Sequence, residues 1–138
     1  MDSGIRCQQS CIEAFEALKI HKHQRYLLFR ICNKKEIEFL AGGDRKKNYD
    51  DLKNELIKAA MEGDGRYAVY DYETEGQAAT LIFILWVPSS LDPKVKLLYA
   101  ASKEAFKAKL DGVKHEVQIN DVDEIDEQEI YRKVHKLS

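Results

Sequence analysis

The sequence predicts an α/β domain in which a five-stranded mixed β-sheet is sandwiched between helices on both faces. Three observations carry that expectation. Two pairs of apolar strand-like runs are each followed by an amphipathic helix, residues 79–87 are apolar on both faces, and a long helical stretch, 91–112, precedes the last strand. A strand apolar on both sides belongs in the middle of a covered sheet. A long crossover lets the strands it joins run parallel.

Taken in order, residues 1–5 read as a short tail, and residues 7–18 set Cys11, Ile12, Phe15 and Leu18 at helical spacing. After a polar link, residues 25–32 (RYLLFRIC) are aromatic and apolar but short for a helix, so they read as a strand. Asn33-Lys34-Lys35 turns the chain into residues 36–41 (EIEFLA), and Gly42-Gly43-Asp44 ends that strand. Arg45, Lys46 and Lys47 read as a solvated basic loop, with a nuclear-import patch as the alternative. Residues 49–61 form a helix with Leu52, Leu56, Ile57 and Ala60 on one face and Asp50 and Asp51 in its first turn. Gly63-Asp64-Gly65 breaks it, and residues 66–72 (RYAVYDY) and 79–87 (ATLIFILWV) are the third and fourth strands. Residues 114–119 (KHEVQI) are the fifth strand, and an acidic link, 120–126, leads to a last helix over 127–135. The whole chain, 1–138, reads as one domain.

Charge is abundant but balanced: 22 Lys and Arg against 24 Asp and Glu, a formal net of −2. A general nucleic-acid binder would be plainly basic, so none is expected. No apolar run could span a bilayer and MDSGIRCQQS lacks an apolar signal core, so a cytoplasmic chain without a transmembrane segment is expected. Cys7, Cys11 and Cys32 have neither metal-ligand nor CxxC spacing and read as reduced thiols. There is no Gly-rich phosphate loop, GxSxG or HExxH, and His21, His23, His115 and His135 are scattered. A Cys–His pair built on Cys32 has no support from spacing. Asp121, Asp123 and Glu124 could ligate a cation but lack EF-hand spacing, so a solvated acidic link is expected. No catalytic residue, metal or cofactor is assigned.

The long stretch 91–112 is the informative one. On a helical wheel Val95, Leu98, Tyr99, Ser102, Ala105, Phe106 and Leu110 share one broad face. Pro93 and Asp92 suit its start, and Gly112 its stop. Lys96, Lys103 and Lys107 line up beside the apolar face, Lys94 flanks the other edge, and Leu97 points away from the core among lysines. An apolar anchor with a charged rim is how protein interfaces are built, though lysines on an outer face also serve only solubility.

Four segments then resemble one family. Ser3-Gly4-Ile5 resembles the Ser-Gly-Val/Ile start of the actin-depolymerising factor/cofilin family, and residues 66–72 (RYAVYDY) resemble its C-R-Y-A-I-Y-D-F/Y strand. Residues 83–88 (FILWVP) resemble F-x-x-W-x-P, and residues 96–105 (KLLYAASKEA) resemble K-M-x-Y-A-S-S-K-D/E-A. The resemblance implies the ADF-homology fold and binding of actin monomer and filament, with the long helix entering a cleft between actin subdomains. It assigns Ser3, Gly4, Ile5, Lys94, Lys96, Leu97, Lys103 and Lys107 to the monomer contact, and Arg132, Lys133 and Lys136 to the filament contact. Ser3 matches a serine whose phosphorylation switches members off, by adding about −1.5 to −2 charges. Where severing members carry two basic residues before the fourth strand, this chain reads Gln77-Ala78-Ala79-Thr80, so weak severing is implied. Leu97 stands for Met, Ala101 for Ser, and the proline of the approach loop is displaced by one position. The expected function is that of a monomeric protein promoting depolymerisation and turnover at the cytoskeleton, with anionic phosphoinositide headgroups as competing ligands of the lysine stripe. The alternative keeps the fold but binds a branch-nucleating complex or filament sides without disassembly, as glia-maturation-factor-like or coactosin-like domains do. A small enzyme is the third reading, and the absent motifs argue against it.

Overall fold

The computed structural model describes residues 4–73, 76 and 78–135. In chain order they form β1 (Arg6–Cys7), α1 (Gln9–His21), β2 (Gln24–Cys32), β3 (Glu36–Asp44), α2 (Tyr49–Met61), β4 (Arg66–Tyr72), β5 (Thr80–Trp86), α3 (Pro93–Lys107), β6 (His115–Ile119) and α4 (Glu127–His135). The sheet runs β1-β3-β2-β4-β5-β6, antiparallel at its centre and parallel at both edges. The mixed sheet between helices is as expected, but it has six strands, not five. The extra one, β1, pairs only Arg6 with Glu36 and Cys7 with Ile37, too short a run to show an alternation in sequence.

Alternation along β5 explains the two cores. Ile82, Ile84 and Trp86 face α2 and α4, while Phe83 and Leu85 face α1 and α3. On the first side Leu52, Leu56, Ile130 and Val134 cover the sheet, and on the second Phe15, Leu18, Tyr99 and Phe106 do. The Trp86 indole N–H donates to the Leu56 carbonyl at 2.6 Å, so the largest side chain of the core also satisfies its one donor. Helix α2 begins at a capping box between Asn48 and Asp51.

The ends of two elements differ from expectation. β3 runs on through Gly42 and Gly43, which pair with Leu27 and Tyr26 of β2, and the Tyr26 ring lies where a Gly43 side chain would be. Only glycine lets that ring cross its neighbour, so here the glycines extend a strand that they were expected to end. Helix α3 stops at Lys107, and residues 108–112 continue as turns with Leu110 N–H on Lys107 O at 2.9 Å. Gly112, at φ +102°, then reverses the chain.

Arg45 corrects another expectation. Its guanidinium donates to Asp71 Oδ2 and to the Gln24 carbonyl, each at 2.8 Å, and also bonds Glu73 Oε1. Asp71 is the last residue but one of fully buried β4, 1% exposed, with Lys22 Nζ on the same oxygen at 3.3 Å. Arg45 is therefore an internal counter-ion; of the three basic residues, Lys46 and Lys47 are the exposed ones. The acidic link also has an internal use. Glu124 Oε1 accepts from the Asn120 and Asp121 amides at 3.1 Å each, capping the short 3₁₀ turn Val122–Glu124.

Removing one partner of a buried pair strands the other charge. Arg45→Ala is expected to cost about 2–3 kcal/mol, below the roughly 3–5 kcal/mol of a pair left wholly uncompensated, because Lys22 remains. Lys46→Ala should stay within about 0.5 kcal/mol. Urea unfolding of both variants checks this, and equal losses would contradict the internal role of Arg45.

Candidate functional site

Helix α3 starts where Asp92 accepts the Lys94 amide at 2.8 Å, with Pro93 at the first helical position. Its rotation is fixed from beneath by two tyrosines. The Tyr67 hydroxyl donates to the Tyr99 carbonyl at 2.5 Å, and the Tyr99 hydroxyl accepts the Ile31 amide at 3.0 Å. That amide needs a partner because β4 pairs with β2 only as far as Phe29 opposite Tyr67. Tyr67, Tyr99, Phe106, Phe83 and Phe29 form a contiguous aromatic cluster around this pin. Gly65 makes room for it, since a Cβ there would lie 2.7 Å from the Trp86 carbonyl and 3.3 Å from the Tyr99 ring.

With Tyr99, Ser102 and Phe106 inward, Leu97 is left 68% exposed. Lys94 is exposed beside it, and Lys96 lies along the protein with its Nζ 3.2 Å from the Ser89 carbonyl. Ala105, expected on the buried face, is exposed, because it lies about 120° around the axis from Tyr99. Next to Lys96 a groove of about 200 Å³ is lined by Val87, Ser89, Ala100, Gln118 and Asn120. Sequence reasoning missed Ser89, Gln118 and Asn120, which come together only because the Ser89 amide bonds the Asn120 carbonyl at 2.9 Å.

Lys103 and Lys107 are not the freely exposed cations the wheel suggested. Both donate to Glu116 of β6, at 2.8 and 2.9 Å, and Lys103 also meets Glu104 at 3.3 Å. Burial pushes the Glu116 carboxyl up, but the hydrogen bonds from Lys103 and Lys107 outweigh it and hold it below the ordinary carboxylate value. The same bonds raise Lys103. Half of the basic stripe is thus tied to an anion of the sheet.

Gly4 is exposed, and Ile5 packs partly on the core that α1 and α3 share, so the start of the described chain lies on the same sheet face as α3. Ser3, Gln77 and Lys136 lie outside the described residues. Arg132 and Lys133 are on α4, across the sheet, where Arg132 meets Glu129 at 3.6 Å and Lys133 Nζ lies 3.5 Å from the Gln118 carbonyl. Ala78 and Ala79 are exposed and Thr80 half-buried, with no cation among them.

A sequence model of the family described as cofilin/tropomyosin-type actin-binding protein matches residues 4–135. The chain belongs to that cofilin/ADF family. Actophorin of Acanthamoeba castellanii is 35% identical over 138 residues, covering 97% of each chain. Actin-depolymerizing factor 3 of Zea mays is 38% identical over 133 residues, covering 93% of each. Among solved structures, the cofilin of Streptomyces griseoflavus superposes with a TM-score of 0.85 at 32% identity, over 94% of this chain and 98% of its own. The cofilin/ADF family is one of actin-binding proteins and not an enzyme family. The described residues include no helix long and apolar enough to cross a membrane.

The Glu116 clamp has a pH signature. A carboxyl depressed in the fold adds stability above its unfolded pKa of about 4.3 and loses it as pH falls through the folded value. Glu116→Gln should therefore cost about 1–2 kcal/mol at pH 7, a gap to wild type that starts to narrow below about pH 4.3 and closes only beneath the depressed folded value. Urea titrations at the two pH values measure it, and a pH-independent gap would mean that packing alone is at work.

Proposed function

We propose that this chain binds actin monomers and filaments and promotes filament depolymerisation and turnover, with weak severing. One observation carries the reading. Leu97 stands exposed with Lys94 and Lys96 at its rim, on a helix whose rotation is fixed by buried hydrogen bonds, in a chain matching an actin-binding family over nearly its length. An apolar anchor with a cationic rim suits a hydrophobic cleft in an acidic partner. The relatives' names, actophorin, cofilin and actin-depolymerizing factor, support disassembly over a glia-maturation-factor or coactosin type of role.

Gly4 and Ile5 join this contact from the same sheet face, and Ser3 precedes them as the phosphorylation site. A phosphate there would set about −1.5 to −2 charges against an acidic partner. Lys103 and Lys107 act mainly by holding the helix to β6 and contribute the charge that Glu116 leaves over. The protein works as a monomer at the cytoplasmic actin cytoskeleton. Phosphoinositide headgroups compete for Lys94 and Lys96, whose charge no carboxylate among the described residues neutralises.

Leu97→Ala should change unfolding free energy by less than about 1 kcal/mol. It should weaken monomer binding by about 1–2 kcal/mol, and Lys94→Ala with Lys96→Ala by a similar amount. Fluorescence titration of actin monomer measures both, and affinities within twofold of wild type would remove α3 from the contact.

Filament binding needs a second contact, through Arg132, Lys133 and Lys136 and the hairpin ahead of β5. The hairpin lacks the cations, and near-surface pairs contribute only about 0–1 kcal/mol each. Filament binding should be weakened and salt-sensitive, with depolymerisation outlasting severing. Ala78→Arg with Thr80→Lys is expected to raise filament affinity and severing frequency while monomer affinity stays put. Microscopy of single filaments decides it: no gain in severing would show that the missing pair does not limit this protein.

A further inference from the structure

Two of the three cysteines meet at the edge of the sheet. Cys7 closes β1, opposite Ile37 of β3, and Cys11 lies in the first turn of α1. Both sulfurs flank the Gln8 peptide. Cys7 Sγ is 3.6 Å from the Gln8 carbonyl, which also accepts the Cys11 amide at 3.0 Å. Cys11 Sγ is 3.3 Å from the Ile37 carbonyl, which also accepts the Gln8 amide at 3.0 Å. Both side chains thus lie where Gln8 meets Ile37, Cys7 on the Gln8 carbonyl and Cys11 on the carbonyl that holds the Gln8 amide. Cys7 is half-buried and reachable; Cys11 is fully buried, 0% exposed.

We propose that Cys7 and Cys11 form a dithiol modification site that peroxide closes to a disulfide, loosening β1 from β3. The neighbouring Cys11 side chain, with Lys109 nearby, holds Cys7 below the ordinary thiol value against the effect of burial. That makes Cys7 the attacking sulfur. Cys11 is pushed up by the neighbouring Cys7 and by burial, so it keeps its proton while Cys7 is a thiolate. Cys32 is raised by burial and by Glu38 and Glu36, which makes it the unreactive control.

The Cys7 thiolate attacks one peroxide oxygen: an S–O bond forms, the O–O bond breaks, and hydroxide leaves as water after taking a proton. The product is Cys7 sulfenic acid, which removes the negative charge that kept Cys11 protonated. Cys11 then gives up its proton and attacks the Cys7 sulfur. The S–S bond forms, the S–O bond breaks, and the hydroxyl leaves with that proton as a second water. Two thiols lose two electrons and one peroxide becomes two waters.

Closure brings the sulfurs to about 2.05 Å, nearer than any hydrogen bond between thiols. Cys11 is anchored by its helix and its packing, while β1 has only two paired residues, so the strand moves. Cys11 also gives up its bond to the Ile37 carbonyl, which keeps the Gln8 amide. The strand affected is the one leading from Gly4 and Ile5.

The test uses the full chain with hydrogen peroxide, free thiols then being alkylated and peptides mapped by mass. Expected is a Cys7–Cys11 disulfide, reversed by dithiothreitol, with Cys32 still free. Cys11→Ser should leave a sulfenic acid on Cys7 that dimedone traps, and Cys7→Ser should leave Cys11 unreacted. Hydrogen exchange of the Arg6 amide, bonded to the Lys35 carbonyl at 2.9 Å, should quicken at least tenfold on closure. Oxidation of Cys32 ahead of the pair, a sulfenic acid persisting on Cys7 of the wild type, or unchanged Arg6 exchange would each overturn the proposal.

Discussion

The rotation of α3 depends on two buried phenols. Its apolar pattern alone is wide enough for more than one setting, since Val95, Leu98 and Ala105 would also pass as core-facing residues. Tyr67 and Tyr99 are 0% and 1% exposed, and a buried hydroxyl without a partner costs about 1–3 kcal/mol. Turning the helix would break the bond from Tyr67 to the Tyr99 carbonyl and the one from the Ile31 amide to the Tyr99 hydroxyl. Two hydroxyls and an amide would each lose that partner. Exchanging one partly buried leucine for Leu97 gains less than that penalty. The exposure of Leu97 follows from polar bonds on the far side of the helix.

Much of the architecture was legible because it rests on period. The run 79–87 had to be central, and β5 has neighbours on both sides and a core on each face. What sequence could not show depends on partners distant in the chain. β1 exists because Glu36 and Ile37 offer it an edge, and two residues carry no periodic signal. Gly42 and Gly43 looked like a stop, and only their pairing with Leu27 and Tyr26 of β2 makes them part of the strand. Of the candidate site, the inward Tyr99 and Phe106 and the outward Leu97 were legible on the wheel. The pairing of Lys103 and Lys107 with Glu116 was not, because it needs β6 laid beside β5.

Those pairings sort the charges by job. Asp71 in β4 is met by Arg45 and Lys22 from two separate links, so cations that look like a surface cluster hold the connections to the sheet. Lys22 adopts left-handed backbone, φ 54°, at the C-cap of α1, an uncommon conformation for a residue with a side chain. Its ammonium on Asp71 and its amide on the Leu18 carbonyl at 3.1 Å offset that cost. Glu116 likewise takes two lysines of α3 out of the surface field. A nearly neutral chain can thus present local positive charge only where no carboxylate answers it, and among the described residues that leaves, on α3, Lys94 and Lys96 around Leu97.

The two candidate surfaces lie on opposite faces of the sheet, yet they meet at one place. Gln118 lines the groove beside Lys96, and its carbonyl faces Lys133 Nζ from α4 at 3.5 Å. The end of β6 is parallel to β5, which carries both the hairpin before it and the loop to α3 after it. A partner seated on α3 and a second one against α4 would both press on this strand end. Charge divides unevenly between them. On the α3 side no carboxylate among the described residues meets Lys94 or Lys96 around the apolar anchor, whereas Arg132 on the α4 side already meets Glu129 and the neighbouring hairpin offers Ala78 and Ala79. Exposed pairs are weak and screened by salt, while a desolvated apolar anchor is neither. On the proposed actin-binding reading, the same physics that leaves Leu97 exposed makes the α3 contact the stronger one and leaves the α4 contact to depend on ionic strength.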